Sequence, residues 1–428
     1  NHIFSDEEES LSETGEFDIL GPSTSNQARL GTKKSVKTKK PKTFKPKQKK
    51  VNPKRKDTVS TKYPHEWKDS PEFTPENFLF DDTSAGIVDS DSYPESCNEL
   101  DFFEILFPEK ILDFIVCETN KQFLYVINNA PPSDKSRLKQ WLPLTINELR
   151  VFIATTMLMV HGKKNNLDDY WSNDPLLKDT SVAGCMSRDR YKNILRLLHF
   201  TDNTLPAAFG KLTKIKNLVD MFRESFSKTF VPSRNLCIDE SLLLFKGQLG
   251  FKQFIPSKRS RFGIKIYILC DCKTGYIIDM IIYTGKDSEI DQTEDLGTSG
   301  GIVYTLLKPY LNKGHCIFLD NFYSSPDLFK FLYINKTNAC GTARLYRKGM
   351  PEFRKDLQVG DREVLNNGTT MALRWVDKRQ VVMLTTEHND QIINTGKIDK
   401  RTKNAVIKPK CVVEYNRNMG AVDRSDMM

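Results

Sequence analysis

Leu236-Cys-Ile-Asp-Glu-Ser-Leu-Leu-Leu-Phe245 is the stretch on which the fold turns. The helical spacing that runs upstream stops at Asn235, and this apolar run reads as a buried strand. Asp239 stands in its middle between apolar neighbours. A charge in that position is costly unless it is paired or holds a metal ion.

Toward the C-terminus, Ile264 to Cys270 and Tyr276 to Tyr283 read as two further strands, joined by a tight turn at Lys273-Thr-Gly275. Ile302 to Leu311 has helical spacing, His315 to Asp320 is a short buried strand, Ser325 to Tyr333 a helix and Cys340 to Leu345 another strand. Three antiparallel strands followed by helix, strand, helix and strand is the element order of a ribonuclease-H-like fold. Strand character returns between Arg362 and His388, in Met371 to Val376 and Val381 to Thr386, and reads as a β insertion. Ala421-Val-Asp-Arg-Ser-Asp-Met-Met428 looks like the opening of a final helix, cut short.

Toward the N-terminus the period is helical. Ile111, Leu112, Phe114 and Ile115 recur at three to four residues after Pro108. Thr145 and Glu148 have the spacing of a capping box for the helix carrying Val151 to Met159. Ser187 to Phe200 and Leu218 to Phe230 are also amphipathic. The predicted class is α+β. A disordered tail occupies 1–100, an all-helical region 101–233 and the first part of the ribonuclease-H-like core 234–361. A β-rich insertion follows over 362–410, with the start of the last core helix over 411–428.

The tail is poor in aliphatics and cannot bury enough surface to order itself. Its two Lys/Arg clusters, Lys33 to Lys42 and Lys47 to Lys56, resemble a nuclear-import or DNA-tethering segment. Residues 1–56 sum to +7 and residues 57–104 to −11, which leaves +13 on residues 105–428. A folded region that basic is an electrostatic footprint for a polyanion, and nucleic acid is the commonest. The nine cysteines show no CxxC pair and no zinc array, so they read as reduced thiols. The most apolar run, Val151 to Val160, is too short to span a bilayer. No GxxxxGK[ST] motif is present, so nothing points to ATP.

Three carboxylates stand out by context. Asp239 lies inside a strand, Asp320 ends the apolar strand Cys316 to Leu319, and Asp423 opens the last helix with Asp426 three residues on. Each alone has an ordinary reading, as an edge-strand acid, a turn former or a first-turn helix acid. Together, on the first strand, the fourth strand and the last helix, they suit a pair of hard cations such as Mg²⁺ or Mn²⁺, which prefer carboxylate oxygens. Two such ions neutralise the attacking and leaving oxygens of a phosphodiester.

The ordered series Ile238-Asp-Glu-Ser-Leu-Leu243, Phe251 to Arg259, Arg261 to Lys265, Cys270 to Tyr276, Leu319-Asp-Asn-Phe-Tyr-Ser-Ser325, Gly341-Thr-Ala-Arg344 and Met419-Gly-Ala-Val-Asp423 resembles the piggyBac transposase family. The likeness covers residues 100 to 428 and is nearest to the domesticated branch, by its type-four member. It implies a DDE/D transposase with Asp239, Asp320 and Asp423 as metal-binding aspartates and Asp426 as a further acid of the pattern. It also implies two Mg²⁺ or Mn²⁺ ions, a homodimer, double-stranded DNA with transposon ends and a TTAA target, and a nuclear location. Lys252, Lys258, Arg259, Arg261 and Lys265, between the first two strands, and Arg344 and Arg347 after the fifth, are candidate phosphate contacts. Phe251, Phe254 and Phe262 lie among them and read as core residues of that loop, as do Trp375 and His388 in the insertion.

The family typically continues into a zinc-binding cysteine-rich domain that reads element ends. None follows here, so the expectation for this chain alone is weak, salt-sensitive DNA binding with little transposition. Two other readings compete: a domesticated nuclear DNA-binding protein without catalysis, and a generic ribonuclease-H-type nuclease that cleaves without joining.

Overall fold

The structure, a computed structural model, describes residues 65–69, 72–88, 96–134, 136–206, 209–256, 261–293, 295–354, 356–398 and 403–427. A disordered tail is expected over 1–100; its residues 1–64, with both basic clusters, lie outside the described residues. The boundary at residue 100 needs correction, because the chain is already part of the fold from His65. The Trp67 indole donates to the Gly349 carbonyl at 2.8 Å, and Lys68 bridges to Asn366. Phe73 is buried in the core, and the Phe80 ring lies 4.7 Å from that of His315. A few aromatic side chains bury enough surface to fix this otherwise acidic stretch.

Strand β1 (Gly86–Ile87) precedes six helices: α1 (Glu99–Leu106), α2 (Glu109–Asn129), α3 (Ile146–His161), α4 (Thr180–Cys185), α5 (Arg188–Leu197) and α6 (Lys216–Thr229). Asn98 starts α1 with a reciprocal box, its side chain accepting from Leu100 and Asp101 while Asp101 accepts from the Asn98 amide. At α3 only half of the expected box forms. Thr145 accepts from the Glu148 amide, but the Glu148 carboxylate turns to Arg190 at 2.6 and 2.5 Å. Ile111, Leu112, Leu149, Phe152, Ile194 and Leu197 make the core of this region. α6 fastens it to the sheet through a two-point bond from Arg223 to Asp279.

Strand β2 (Phe230–Val231) pairs with β1 and leads into the sheet. Its strands are β3 (Asn235–Leu244), β4 (Gln253–Phe254), β5 (Phe262–Asp271) and β6 (Ile277–Ile282). Helix α7 (Gly297–Leu307), β7 (Cys316–Leu319), α8 (Pro326–Ile334) and β8 (Asn338–Thr342) follow. β3, β5 and β6 form an antiparallel meander, and β7 and β8 run parallel to β3 on its other side. This is the ribonuclease-H-like arrangement that the element order predicts.

Residues after β8 continue as β9 (Arg362–Asn366), β10 (Met371–Val376) and β11 (Gln380–Thr385). β11 pairs antiparallel with β8, with Thr385 opposite Cys340, so these strands lengthen the core sheet to nine strands among the described residues. An open β8 edge would leave backbone donors and acceptors unpaired, and β11 satisfies them. A separate hairpin, β12 (Ile392–Ile398) with β13 (Ala405–Pro409), leads to the end of the chain. That end is two helices, α9 (Lys410–Asn418) and α10 (Ala421–Met427), broken at Met419 and Gly420, where one helix was expected. Trp375 and His388 are buried within this part, in the packing role expected of them.

Candidate active site

Strand alternation sets which face each side chain takes. On β3, Leu236 and Ile238 enter the core layer with Ile302, Leu306 and Leu328 of α7 and α8, whereas Cys237 enters the opposite layer with Val412, Ala421 and Val422 of α9 and α10. Asp239, two residues beyond Cys237, takes the α9–α10 face. On β7, Cys316 and Phe318 belong to that same layer, so Asp320 follows them onto it. Ile238 is in register with Leu319 on adjacent parallel strands, which places Asp239 beside Asp320. α10 packs on β3 and β5, and Asp423 follows its buried Val422.

The carboxylates sense one another. Burial pushes Asp239 up to about 6, and the negative charges of Asp320, Glu240 and Asp423 add to that, against a 2.8 Å bond from the Glu240 amide. Asp320 is also raised by burial, against bonds from the Phe322 and Tyr323 amides and the Arg344 charge. Asp426 accepts from the Ser241 hydroxyl on β3 at 2.7 Å, and Arg424 donates to the Cys272 carbonyl at 2.6 Å. Those two bonds fasten α10 across β3 and the turn after β5.

Among the described residues, no three His, Cys, Asp or Glu side chains are gathered closely enough to hold a metal ion as they stand. The donor chemistry nonetheless suits a hard cation. The groups are carboxylates on rigid neighbouring strands, their burial and repulsion outweigh the bonds that offset them at Asp239, and a buried orphan hydroxyl lies within reach of their charge. That orphan is the Tyr323 hydroxyl, which packs in the α7–α8 layer, feels the charges of Asp239 and Asp320, and has no hydrogen-bond partner among the described residues.

The expected phosphate contacts fall in different settings. Lys265 is only 14% exposed, paired with Glu240 and lying over the Tyr267 and Phe322 rings, so its charge is spent inside the protein. Arg347 donates to the Asn321 and Phe322 carbonyls at 2.6 and 2.7 Å, and Arg344 to the Asn321 side chain at 3.2 Å, which clamps the loop after Asp320. The Lys252 amine caps the Gly247 carbonyl at 2.7 Å, and Arg261 is exposed. Lys258 and Arg259 lie outside the described residues. Phe251 is buried as expected, but Phe254 and Phe262 are not core residues: they are 55% and 47% exposed. Ser241 and Tyr323 were not singled out from the sequence. Ser241 could have been, since it repeats the face of Asp239 two residues on.

Among the described residues no helix is long and apolar enough to cross a membrane. A family model described as Transposase IS4 matches residues 98–428. PiggyBac transposable element-derived protein 3 of Homo sapiens is 25% identical over 341 residues, 76% of this chain and 56% of that protein. PiggyBac transposable element-derived protein 2 of Homo sapiens is 26% identical over 349 residues, 76% of this chain and 55% of that one. The chain thus spans about half the length of these relatives. A cryo-EM structure of a piggyBac transposase synaptic complex with hairpin DNA aligns at a TM-score of 0.68 and 26% identity, over 81% of this chain and 70% of that one. Fold, motif order and a match over most of the chain agree: the protein belongs to the piggyBac transposase family.

Proposed function

We propose that this chain is the catalytic body of a nuclear, metal-dependent DNA transposase that cuts element ends and joins them to TTAA targets as a homodimer. The observation that supports this reading is the neighbouring of Asp239 and Asp320 on adjacent parallel strands, with α10, the helix that bears Asp423, packed against the same face. Asp239, Asp320 and Asp423 would hold two Mg²⁺ or Mn²⁺ ions, with Asp426 alongside. Bound there, the ions supply charge neutralisation for the attacking and leaving oxygens of the phosphodiester.

The chain's own groups do the positioning. β3 and β7 fix two carboxylates on a rigid sheet, and Arg347 locks the backbone that follows Asp320. Among the described residues α10 is held by two side-chain bonds, from Ser241 and from Arg424, and by the buried Ala421 and Val422, while Asp423 is exposed and is the adjustable carboxylate. In the first step water attacks phosphorus and a DNA 3′-oxygen leaves. In the second, that 3′-hydroxyl attacks a target phosphodiester and the target's 3′-oxygen leaves. Bond number is conserved, so no nucleotide cofactor is required.

The test is strand transfer of a pre-cut end into a TTAA-containing duplex with Mg²⁺ or Mn²⁺, comparing the protein with Asp320→Asn. Loss of joining by about a hundred- to a thousandfold is expected, the usual cost of removing one preorganised charge-stabilising group. Equal joining by both proteins would remove the assignment.

A further inference from the structure

The β3–β5 hairpin runs well beyond the carboxylates, and its outer part is unusually apolar for an exposed surface. Phe254 and Phe262 are register partners on β4 and β5, with ring centroids 4.8 Å apart. Leu243 is 56% exposed, and the exposed Lys246 and Arg261 flank the patch. The Lys252 amine lies 5.7 Å from the centre of the Phe262 ring.

Register fixes how this patch relates to the aspartates. Asp239 is opposite Ile268 on β5, and Leu243 is opposite Ile264. Stepping by two from Ile268 through Ile266 and Ile264 reaches Phe262, so the aromatic pair shares the sheet face of Asp239. Six residues of strand separate Phe262 from that level, roughly 20 Å.

We infer that the Phe254–Phe262 pair, with Lys246, Lys252 and Arg261 around it, is a stacking platform for unpaired bases of the DNA strand. Phenyl rings offer nothing to phosphates. They do offer a π-face to bases freed from the helix, while neighbouring cations hold the backbone. The mixture of aromatic and positive groups fits a nucleic-acid strand better than a second copy of the same patch, whose cations would repel. The inference rests on DNA being the substrate and adds what the platform selects: ends or steps where stacking is broken.

Fluorescence anisotropy in EDTA, with the full chain, compares a blunt duplex with the same duplex carrying a four-nucleotide overhang. Wild type should prefer the overhang, and Phe254→Ala/Phe262→Ala should lose about tenfold on the overhang and less than twofold on the blunt duplex. Phe262→Trp keeps an aromatic face and should retain the preference. Both variants should melt near the wild-type temperature, since the rings are half exposed. Equal overhang binding by wild type and the double variant overturns the inference. So does equal loss on both substrates, and so does self-association of the wild type that the double variant abolishes while overhang binding stays intact. No DNA binding of either kind by the wild type would instead sink the transposase reading. Intact overhang selectivity without strand transfer would sink catalysis and leave the platform.

Discussion

Asp239 illustrates how a single side chain trades stability for chemistry. Its carboxyl is held at about 6 by burial and neighbouring acids, above the ordinary 3.8 of an aspartate. The folded state therefore binds more protons than the unfolded state between about pH 4 and 6, and stability falls as pH rises through that window. Above it the penalty is complete, on the order of 3 kcal/mol. Asp239→Asn in EDTA should accordingly melt higher than wild type at pH 7.5, by a few degrees, and the difference should shrink toward pH 4. Added Mn²⁺ should raise the melting temperature of wild type but not of the variant. A variant that melts lower at pH 7.5, or gains as much from Mn²⁺, contradicts this account. The buried charge could be noticed in the sequence, because an Asp inside an apolar strand is anomalous there. The pairing of Lys265 with Glu240 could not, because the two residues meet only once the register of β3 and β5 is known.

At the scale of elements, α10 is the part whose placement matters and whose hold is slight. Ser241 donates to Asp426, and that bond ties the helix to the strand carrying Asp239. Ser241→Ala should cost about 1 kcal/mol in stability, the net worth of one such bond. It should lower strand transfer more than that cost implies, with the Mn²⁺ concentration for half-maximal activity raised severalfold. Unchanged metal dependence would mean that Asp426 does not help place Asp423. Most of these elements were legible as apolar runs of period two or spacing three to four. What was not legible was non-local: β11 closing the β8 edge, so that the insertion joins the core sheet, and the division of the terminal helix at Met419 and Gly420. Both depend on partners distant in the chain, such as Cys340 opposite Thr385, or on packing against them. The acidic segment from His65 misled for another reason. Its average composition is that of an unfolded chain, yet Trp67, Phe73 and Phe80 suffice to anchor it.

The whole molecule combines a basic body, a sheet with Asp239 and Asp320 on one face and a helix, α10, packed on that face with Asp423 exposed in its first turn. The central claim is that Asp239, Asp320 and Asp423 share divalent cations when DNA is in place. Anomalous diffraction at the manganese edge, from crystals grown with Mn²⁺ and a pre-cut DNA end, measures this directly. The prediction is two manganese peaks about 4 Å apart, between β3, the end of β7 and α10, each bound by carboxylate oxygens of these aspartates. Manganese bound elsewhere, or an ordered DNA end with no metal between the three aspartates, would contradict it.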